Sequence, residues 1–167
     1  VHHKAYGMSN IESARNARVD DIFRWASQTK AITTTALMML YEEGKFMLED
    51  PVSLYIPEFG AATVLDKYDE KTKKYTSHPV TKPVTIRHLL SHTAGISYDN
   101  PVPGDSRFDK LDFLPGSTEV TLKETVPLLA KRPLLHEPGA AFTYGPNTDV
   151  VGYLVEVLSG MPLDQFF

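Results

Sequence analysis

The 167-residue chain has the length of one domain, and its 42% apolar and 23% charged residues indicate an ordinary globular protein with a packed core. A net charge of −4, without a basic stripe, argues against a nucleic-acid-binding surface. There is no cysteine, which removes disulfides, thiolate catalysis and cysteine-based zinc sites. No apolar run approaches the roughly 20 residues that a membrane-spanning helix needs, and the compartment is left open.

The first half of the chain predicts one long helix. Apolar residues recur at nearly 3.6-residue spacing over residues 29–43, and Gly44 supplies a stop signal. The β-branched residues 32–35 are poor helix formers, so packing against other elements must hold this segment helical. Prolines bracket a short helical turn within residues 48–59, and residues 60–84 are expected to form a surface excursion such as a hairpin.

Three shorter helices are expected in the second half, at residues 86–92, 121–130 and 148–158. Thr85 is a candidate N-cap for the first, and Thr121 with Glu124 forms a candidate capping box for the second. Gly160 is a stop signal for the third. Residues 97–118 are rich in proline and glycine and predict a long irregular loop. Only one or two strands are expected, at the start of the chain.

A serine and a lysine stand three residues apart at the head of the long helix, in the stretch FRWASQTKAITTTALMML. Residues at this spacing share a helical face, so the Ser27 hydroxyl and the Lys30 amine can come within hydrogen-bonding reach. Burial would lower the pKa of a lysine amine and let it act as a base. The N–H of Ser27 in the first turn is a candidate oxyanion donor. The same spacing also arises by chance, so the pair alone does not establish catalysis.

Three sequence landmarks follow one another along the chain. The first is the serine–lysine pair with a Gly-Lys turn and a Leu-x-Asp-Pro segment at residues 44–51. The second is TIRHLLSHTAGI at residues 85–96. The third is LLHEPGAAFTYGPNTDVVGYLVEVLSGMPLDQFF at residues 134–167. In this order they resemble the serine β-lactamase-like superfamily, which includes class C β-lactamases, D-Ala-D-Ala peptidases and family VIII esterases, and the resemblance covers nearly the whole chain.

The resemblance implies a role for three residues. Ser27 would be the acylated nucleophile, Lys30 its base partner and Tyr144 the second proton-transfer group. Tyrosine becomes a usable base only beside a positive charge, which Lys30 could supply. The implied substrate is a small-molecule ester or β-lactam, and neither a metal nor an organic cofactor is implied.

The third landmark departs from the β-lactamase pattern. β-Lactamases and the peptidases carry Tyr-x-Asn, whereas this chain has Pro146 where that asparagine would stand. Asn147 is one position later and is a candidate either for substrate binding or for capping the last helix. The spacing after Tyr144 is closer to that of the esterases, and YGPNTD also resembles the acyl-transferring branch of the superfamily. Ester cleavage is therefore favoured, with transfer of the acyl group to an alcohol as a variant of that chemistry.

The implied fold class is α/β (α+β), a β-lactamase/transpeptidase-like fold with an antiparallel sheet flanked by helices and a helical subdomain. Residues 1–167 are expected to be the N-terminal portion of a single such domain, holding mostly its helical part, in a roughly twofold longer protein. The last motif and most of the sheet are expected downstream. The oligomeric state is left open.

Other interpretations of the chain remain open. A β-lactamase or D-Ala-D-Ala carboxypeptidase is the first alternative to an esterase, and a non-catalytic scaffold or binding relative is the second. His88 and His92 have the spacing of a helical metal site, but no glutamate follows His88 as a zinc-protease motif requires. The resemblance instead places His92 in a structural turn, so no metal site is predicted.

Overall fold

The computed structural model describes residues 1–108, 111 and 120–167, and it combines helices with two small antiparallel sheets. Its helices and strands are β1 (Met8–Asn10), β2 (Arg15–Asn16), α1 (Thr29–Glu42), β3 (Thr63–Asp69), β4 (Lys74–Pro79), α2 (Ile86–Leu90), α3 (Leu122–Ala130), α4 (Asn147–Ser159) and α5 (Leu163–Phe166). The predicted loop at residues 97–118 lies partly outside the described residues. Within the described ranges, every helix is too short or too polar to cross a membrane.

The long helix α1 forms where the apolar spacing predicts it. Its buried residues recur every three or four positions and are Thr33, Ala36, Leu37 and Leu40. The hydroxyl of Thr33 donates to the carbonyl oxygen of Thr29 over 2.9 Å, so a polar side chain on the buried face is satisfied by the helix itself. Gly44 follows the helix with a φ of 71°, a left-handed conformation that ends helices at low cost.

Helix α4 packs along α1 and completes the core between them. Its buried residues include Val150, Val151, Leu154 and Val155, which the apolar face of a helix brings together. Burying four such side chains stabilises the fold by about 1.5–3 kcal/mol each. Gly160 ends the helix with a φ of 73°. The pairing of these two helices brings both of their N-terminal ends to one side of the core.

The two shorter helices α2 and α3 start at the predicted caps. Thr85 accepts a hydrogen bond from the His88 N–H, and the His88 ring in turn accepts one from the Thr85 N–H. Glu124 accepts hydrogen bonds from both the N–H and the hydroxyl of Thr121, at 2.8 and 2.7 Å. Both N-terminal predictions are therefore confirmed.

The hairpin expected in residues 60–84 is present as β3 and β4, joined in an antiparallel register. The prediction that strands occur only at the start of the chain is wrong, because this hairpin is the longer of the two sheets. Leu134 pairs with β3 through backbone hydrogen bonds to Thr63 and Leu65, at 2.8 and 2.9 Å. The hairpin is thus tied to the segment that leads into Tyr144.

Candidate active site

Ser27 lies in a single turn of 3-10 helix, Ala26–Gln28, that leads directly into α1. Ala26 has a φ of 46°, in the left-handed region that alanine rarely adopts. Backbone strain of this kind concentrates at functional sites. The turn presents Ser27 at the head of α1, where the Lys30 amine nitrogen lies 3.4 Å from the Ser27 hydroxyl oxygen. The structure therefore brings the predicted pair together.

Tyr144 reaches the same point from a distant part of the chain. The Thr143 N–H donates to the carbonyl oxygen of His92 over 2.8 Å, which holds the preceding residue in place. Gly145 passes so close to Ile96 that a Cβ there would lie 2.8 Å from the Ile96 carbonyl carbon. These contacts place the Tyr144 hydroxyl 3.0 Å from Ser27 Oγ. The Tyr144 side chain is 49% exposed, so a ligand in solution can reach it.

The electrostatics of the cluster favour a protonated Lys30 rather than a neutral lysine base. Burial lowers the pKa of Lys30, but interactions with the hydroxyls of Tyr144 and Tyr98 outweigh it, so this pKa is raised. The pKa of Tyr144 is lowered, first by its hydrogen bond to Ser27 and then by Lys30. The expectation that burial frees Lys30 of its proton is therefore wrong, since its neighbours stabilise the ammonium. Tyr144 is left as the group better suited to accept a proton.

Tyr98 also belongs to this cluster, and sequence reasoning missed it. The Lys30 amine donates to its hydroxyl over 3.5 Å, and its ring centroid lies 5.6 Å from that of Tyr144. Burial raises the pKa of Tyr98, although the neighbouring Lys30 acts in the opposite direction. Its position two residues after the second landmark was a signal, but a tyrosine after a turn is not distinctive by itself.

A buried arginine supports the segment that carries Tyr98. Arg132 is 4% exposed, and its guanidinium donates a hydrogen bond to the carbonyl oxygen of Ser97. Burial lowers the pKa of Arg132 to about 10, partly opposed by the charge of Asp99. The cation is therefore costly to bury, and its hydrogen bond fixes the backbone immediately before Tyr98.

Asn147 does not lie among the groups that face Ser27. It is fully buried at 0% exposure and begins α4, where Pro146 occupies the N-cap position. Its amide nitrogen donates to Nδ1 of His92 over 3.0 Å. The capping alternative is therefore wrong, and this geometry favours a supporting contact with His92 over contact with a substrate.

A cavity of about 840 Å³ opens beside the Ser27 hydroxyl. Its walls combine the polar cluster with the apolar side chains of Leu111, Leu122 and Leu163, and they also include Thr33, Asp149 and Gly152. Burial raises the pKa of the Asp149 carboxyl. A space of this size accommodates a small organic molecule, with the hydroxyl of Ser27 at its edge.

The histidines at the candidate metal spacing are engaged in other contacts. His88 closes the capping box of α2, and Nδ1 of His92 accepts from Asn147. In the part of the chain that the structure describes, no group of three or more histidine or acidic side chains is arranged to hold a metal ion.

Comparison with known proteins places this geometry in context. The family model described as Beta-lactamase matches residues 1–167. The chain is 34% identical to esterase EstB of Burkholderia gladioli over 98% of its own length and 39% of that protein. It is 30% identical to lovastatin esterase of Penicillium rubens over 99% of its length and 41% of that protein.

Among solved structures, the chain is similar to EstCE1, described as a hydrolase with promiscuous acyltransferase activity. The TM-score is 0.75 at 33% identity, over 96% of this chain and 39% of the other. The predicted β-lactamase/transpeptidase-like fold class is thereby confirmed. The chain spans about two fifths of the length of the relatives it matches. On its sequence and on its fold, this chain belongs to the β-lactamase family.

Proposed function

We propose that this chain carries the nucleophile of a carboxylesterase-type serine hydrolase that forms an acyl-enzyme on Ser27. The observation that carries the proposal is the pair of contacts that Ser27 Oγ makes, with the Tyr144 hydroxyl at 3.0 Å and the Lys30 amine at 3.4 Å. Covalent catalysis generally places a nucleophile within hydrogen-bonding reach of a base, and a third group sets the orientation or the pKa of that base.

In the acylation step, Tyr144 in its phenolate form takes the proton of Ser27 while Ser27 Oγ bonds to the ester carbonyl carbon. The protonated Lys30 stabilises that phenolate, in keeping with the lowered pKa of Tyr144. As the tetrahedral intermediate collapses, the bond to the leaving alcohol breaks, and Tyr144 returns the proton to the alcohol oxygen. In deacylation, Tyr144 takes a proton from water as the water oxygen bonds to the acyl carbon. It returns that proton to Ser27 Oγ as the bond between Oγ and the acyl carbon breaks, which releases the acid.

The negative charge on the carbonyl oxygen needs hydrogen-bond donors. In the described ranges no carbonyl oxygen accepts a hydrogen bond from the Ser27 N–H. This N–H also stands at the start of a helix, where the helix dipole favours negative charge. It is therefore suited to be one oxyanion donor.

Transfer of the acyl group to an alcohol is a second candidate outcome, because the step differs only in whether water or an alcohol attacks the acyl-enzyme. The similar protein EstCE1 combines hydrolase with promiscuous acyltransferase activity. A β-lactamase or D-Ala-D-Ala carboxypeptidase is less favoured, because the buried Asn147 is not presented to the cavity. A non-catalytic scaffold would not require three functional side chains to meet at Ser27.

Intact-protein mass spectrometry after incubation with a fluorophosphonate probe tests the proposal. The natural full-length protein is compared with Ser27→Ala and with Ser53→Ala, a control at a half-buried serine away from the cavity. One adduct in the wild type and the control, absent from Ser27→Ala, is the expected result. A folded wild-type protein that forms no adduct would contradict the proposal and favour a non-catalytic scaffold.

Substrate preference separates the remaining candidates. Faster turnover of p-nitrophenyl esters than of nitrocefin is expected, and the opposite order would favour a β-lactamase. Added alcohol that diverts the acyl group from the acid to a new ester would identify the acyl-transfer variant.

A further inference from the structure

His92 makes two separate contacts with the segment that carries Tyr144. Its ring stacks on the Tyr144 ring, with centroids 5.1 Å apart and planes at 28°. Its carbonyl oxygen accepts the hydrogen bond from the Thr143 N–H. The backbone of His92 has a φ of 54°, a left-handed conformation in which histidine is more common than most residues. Side chain and main chain of one residue thus both bear on the position of the Tyr144 ring.

Asn147 determines the orientation and the protonation of the His92 ring. Its amide nitrogen, which can only donate, lies 3.0 Å from Nδ1, so this contact needs an Nδ1 without a proton and favours the neutral Nε2–H form of the ring. The Asn147 oxygen is buried and has no hydrogen-bond partner in the described ranges. Turning the amide over would instead leave both of its N–H groups without a partner, and buried unpaired N–H groups are rarer in proteins than buried unpaired carbonyl oxygens. The contact with His92 is thus made although the side-chain oxygen of Asn147 stays unpaired.

The surroundings of His92 also favour the neutral ring. Burial is the main cause that lowers the pKa of His92, and the cation of Lys30 on α1 adds to it. On its other sides the ring meets Phe142 at 6.0 Å and Tyr144, neither of which carries a negative charge when Tyr144 is protonated. A protonated His92 would lose its hydrogen bond from Asn147.

We propose that His92, held by Asn147, is a positioning residue that aligns the Tyr144 hydroxyl with Ser27. The inference rests on the proposed role of Tyr144 as the base. A neutral His92 ring provides a flat surface for the phenol ring of Tyr144. It also leaves Lys30 as the cation that lowers the pKa of Tyr144. Loss of this surface would release the hydroxyl from Ser27 and Lys30, so the pKa of Tyr144 would return towards that of free tyrosine.

His92→Asn in the full-length protein is the primary variant, because asparagine tolerates a positive φ and the substitution removes the ring. His92→Gly, which also removes the ring and suits a positive φ, takes its place if the first variant does not fold. His88→Asn is the matched control, since His88 lies on the adjacent helix and contacts Thr85 rather than Tyr144.

A double-mutant cycle with Tyr144→Phe gives the first readout. We expect His92→Asn to lower kcat for a p-nitrophenyl ester by up to about 100-fold with little change in KM, because a small misplacement of a catalytic group has effects of this size. In the Tyr144→Phe background the same substitution should have no further effect. Equal effects in both backgrounds would show a merely structural role and overturn the inference.

The second readout does not depend on activity. Carbon-13 labelled tyrosine, assigned through Tyr144→Phe, reports the pKa of Tyr144 by NMR titration. An upward shift in His92→Asn, absent from His88→Asn, is expected, and an unchanged pKa refutes the positioning role. If the wild type neither hydrolyses esters nor reacts with the fluorophosphonate, the proposed function fails, while this titration still decides the role of His92.

Discussion

The hydroxyls of Ser27 and Tyr144 lie 3.0 Å apart although 117 residues separate them in the chain. One residue precedes α1 and the other precedes α4, and the packing of these two helices brings the hydroxyls together. The chemistry proposed for this chain depends on that single contact and on the groups that surround it.

Removal of the Tyr144 hydroxyl should abolish most of the activity while leaving the fold intact. Tyr144→Phe keeps the ring that stacks on His92 but loses the proton acceptor. We expect kcat/KM for a p-nitrophenyl ester to fall about 10²- to 10⁴-fold, the usual contribution of general acid–base catalysis. The melting temperature should not change. Tyr41→Phe, whose ring packs against Phe46, is the control and should retain activity.

The pH profile should report the ionisation of Tyr144. Activity that requires the phenolate rises with pH as Tyr144 loses its proton, and the lowered pKa places this rise below the ordinary tyrosine value of about 10. Lys30→Met removes the neighbouring cation, so the pKa of Tyr144 should increase and the rise in kcat/KM should move to higher pH. Lys45→Met, at an exposed lysine, should leave the profile in place. A profile that Lys30→Met does not shift would exclude Tyr144 as the ionising group.

Gly145→Ala should destabilise the segment that carries Tyr144. An added Cβ would stand 3.0 Å from Ser97 Cα and closer still to the Ile96 carbonyl group. Because both neighbours are backbone, the segment must shift, and we expect a loss of about 1–3 kcal/mol in the free energy of unfolding. Urea denaturation measures this change. Gly60→Ala is the matched control, since its Cβ would meet only Ser53 at an ordinary 3.7 Å, and an equal loss there would contradict the explanation.

Gly152 should set the depth of the cavity beside Ser27. A Cβ at this position would meet the tips of Leu163 and Leu122, at 3.1 and 3.2 Å. Gly152→Val therefore fills part of the space and should shift the substrate preference of the proposed esterase towards shorter acyl chains. The ratio of kcat/KM for p-nitrophenyl acetate to that for the octanoate measures the preference. No change in this ratio would mean that the acyl chain does not occupy this cavity.

The helices were predictable because their signals are local. The apolar spacing of α1, the threonine caps of α2 and α3, and the glycine after α4 are each contained within a few residues. The short helix α5 was not predicted, because four residues carry too little periodicity. The hairpin β3–β4 was predicted only within the broad range 60–84 and without strand bounds, since its strands are mostly exposed and lack a clear alternation.

The site was predictable in its members but not in its electrostatics. Ser27, Lys30 and Tyr144 could be named from three landmarks in the sequence, and the structure brings them together. The raised pKa of Lys30 could not be foreseen, because it depends on two tyrosine hydroxyls that only the tertiary fold places nearby. The burial of Asn147 is likewise a tertiary property, since the same residue type caps helices at the surface.

The candidate site is divided between the starts of α1 and α4, so its groups meet only when these two helices pack together. A chain in which α1 has formed but α4 has not yet docked carries an ordinary, unreactive serine. Under the proposed function, Ser27 therefore becomes reactive only once the core between these helices has closed and Tyr144 has reached it. Labelling of Ser27 during refolding would accordingly time the docking of one helix on the other.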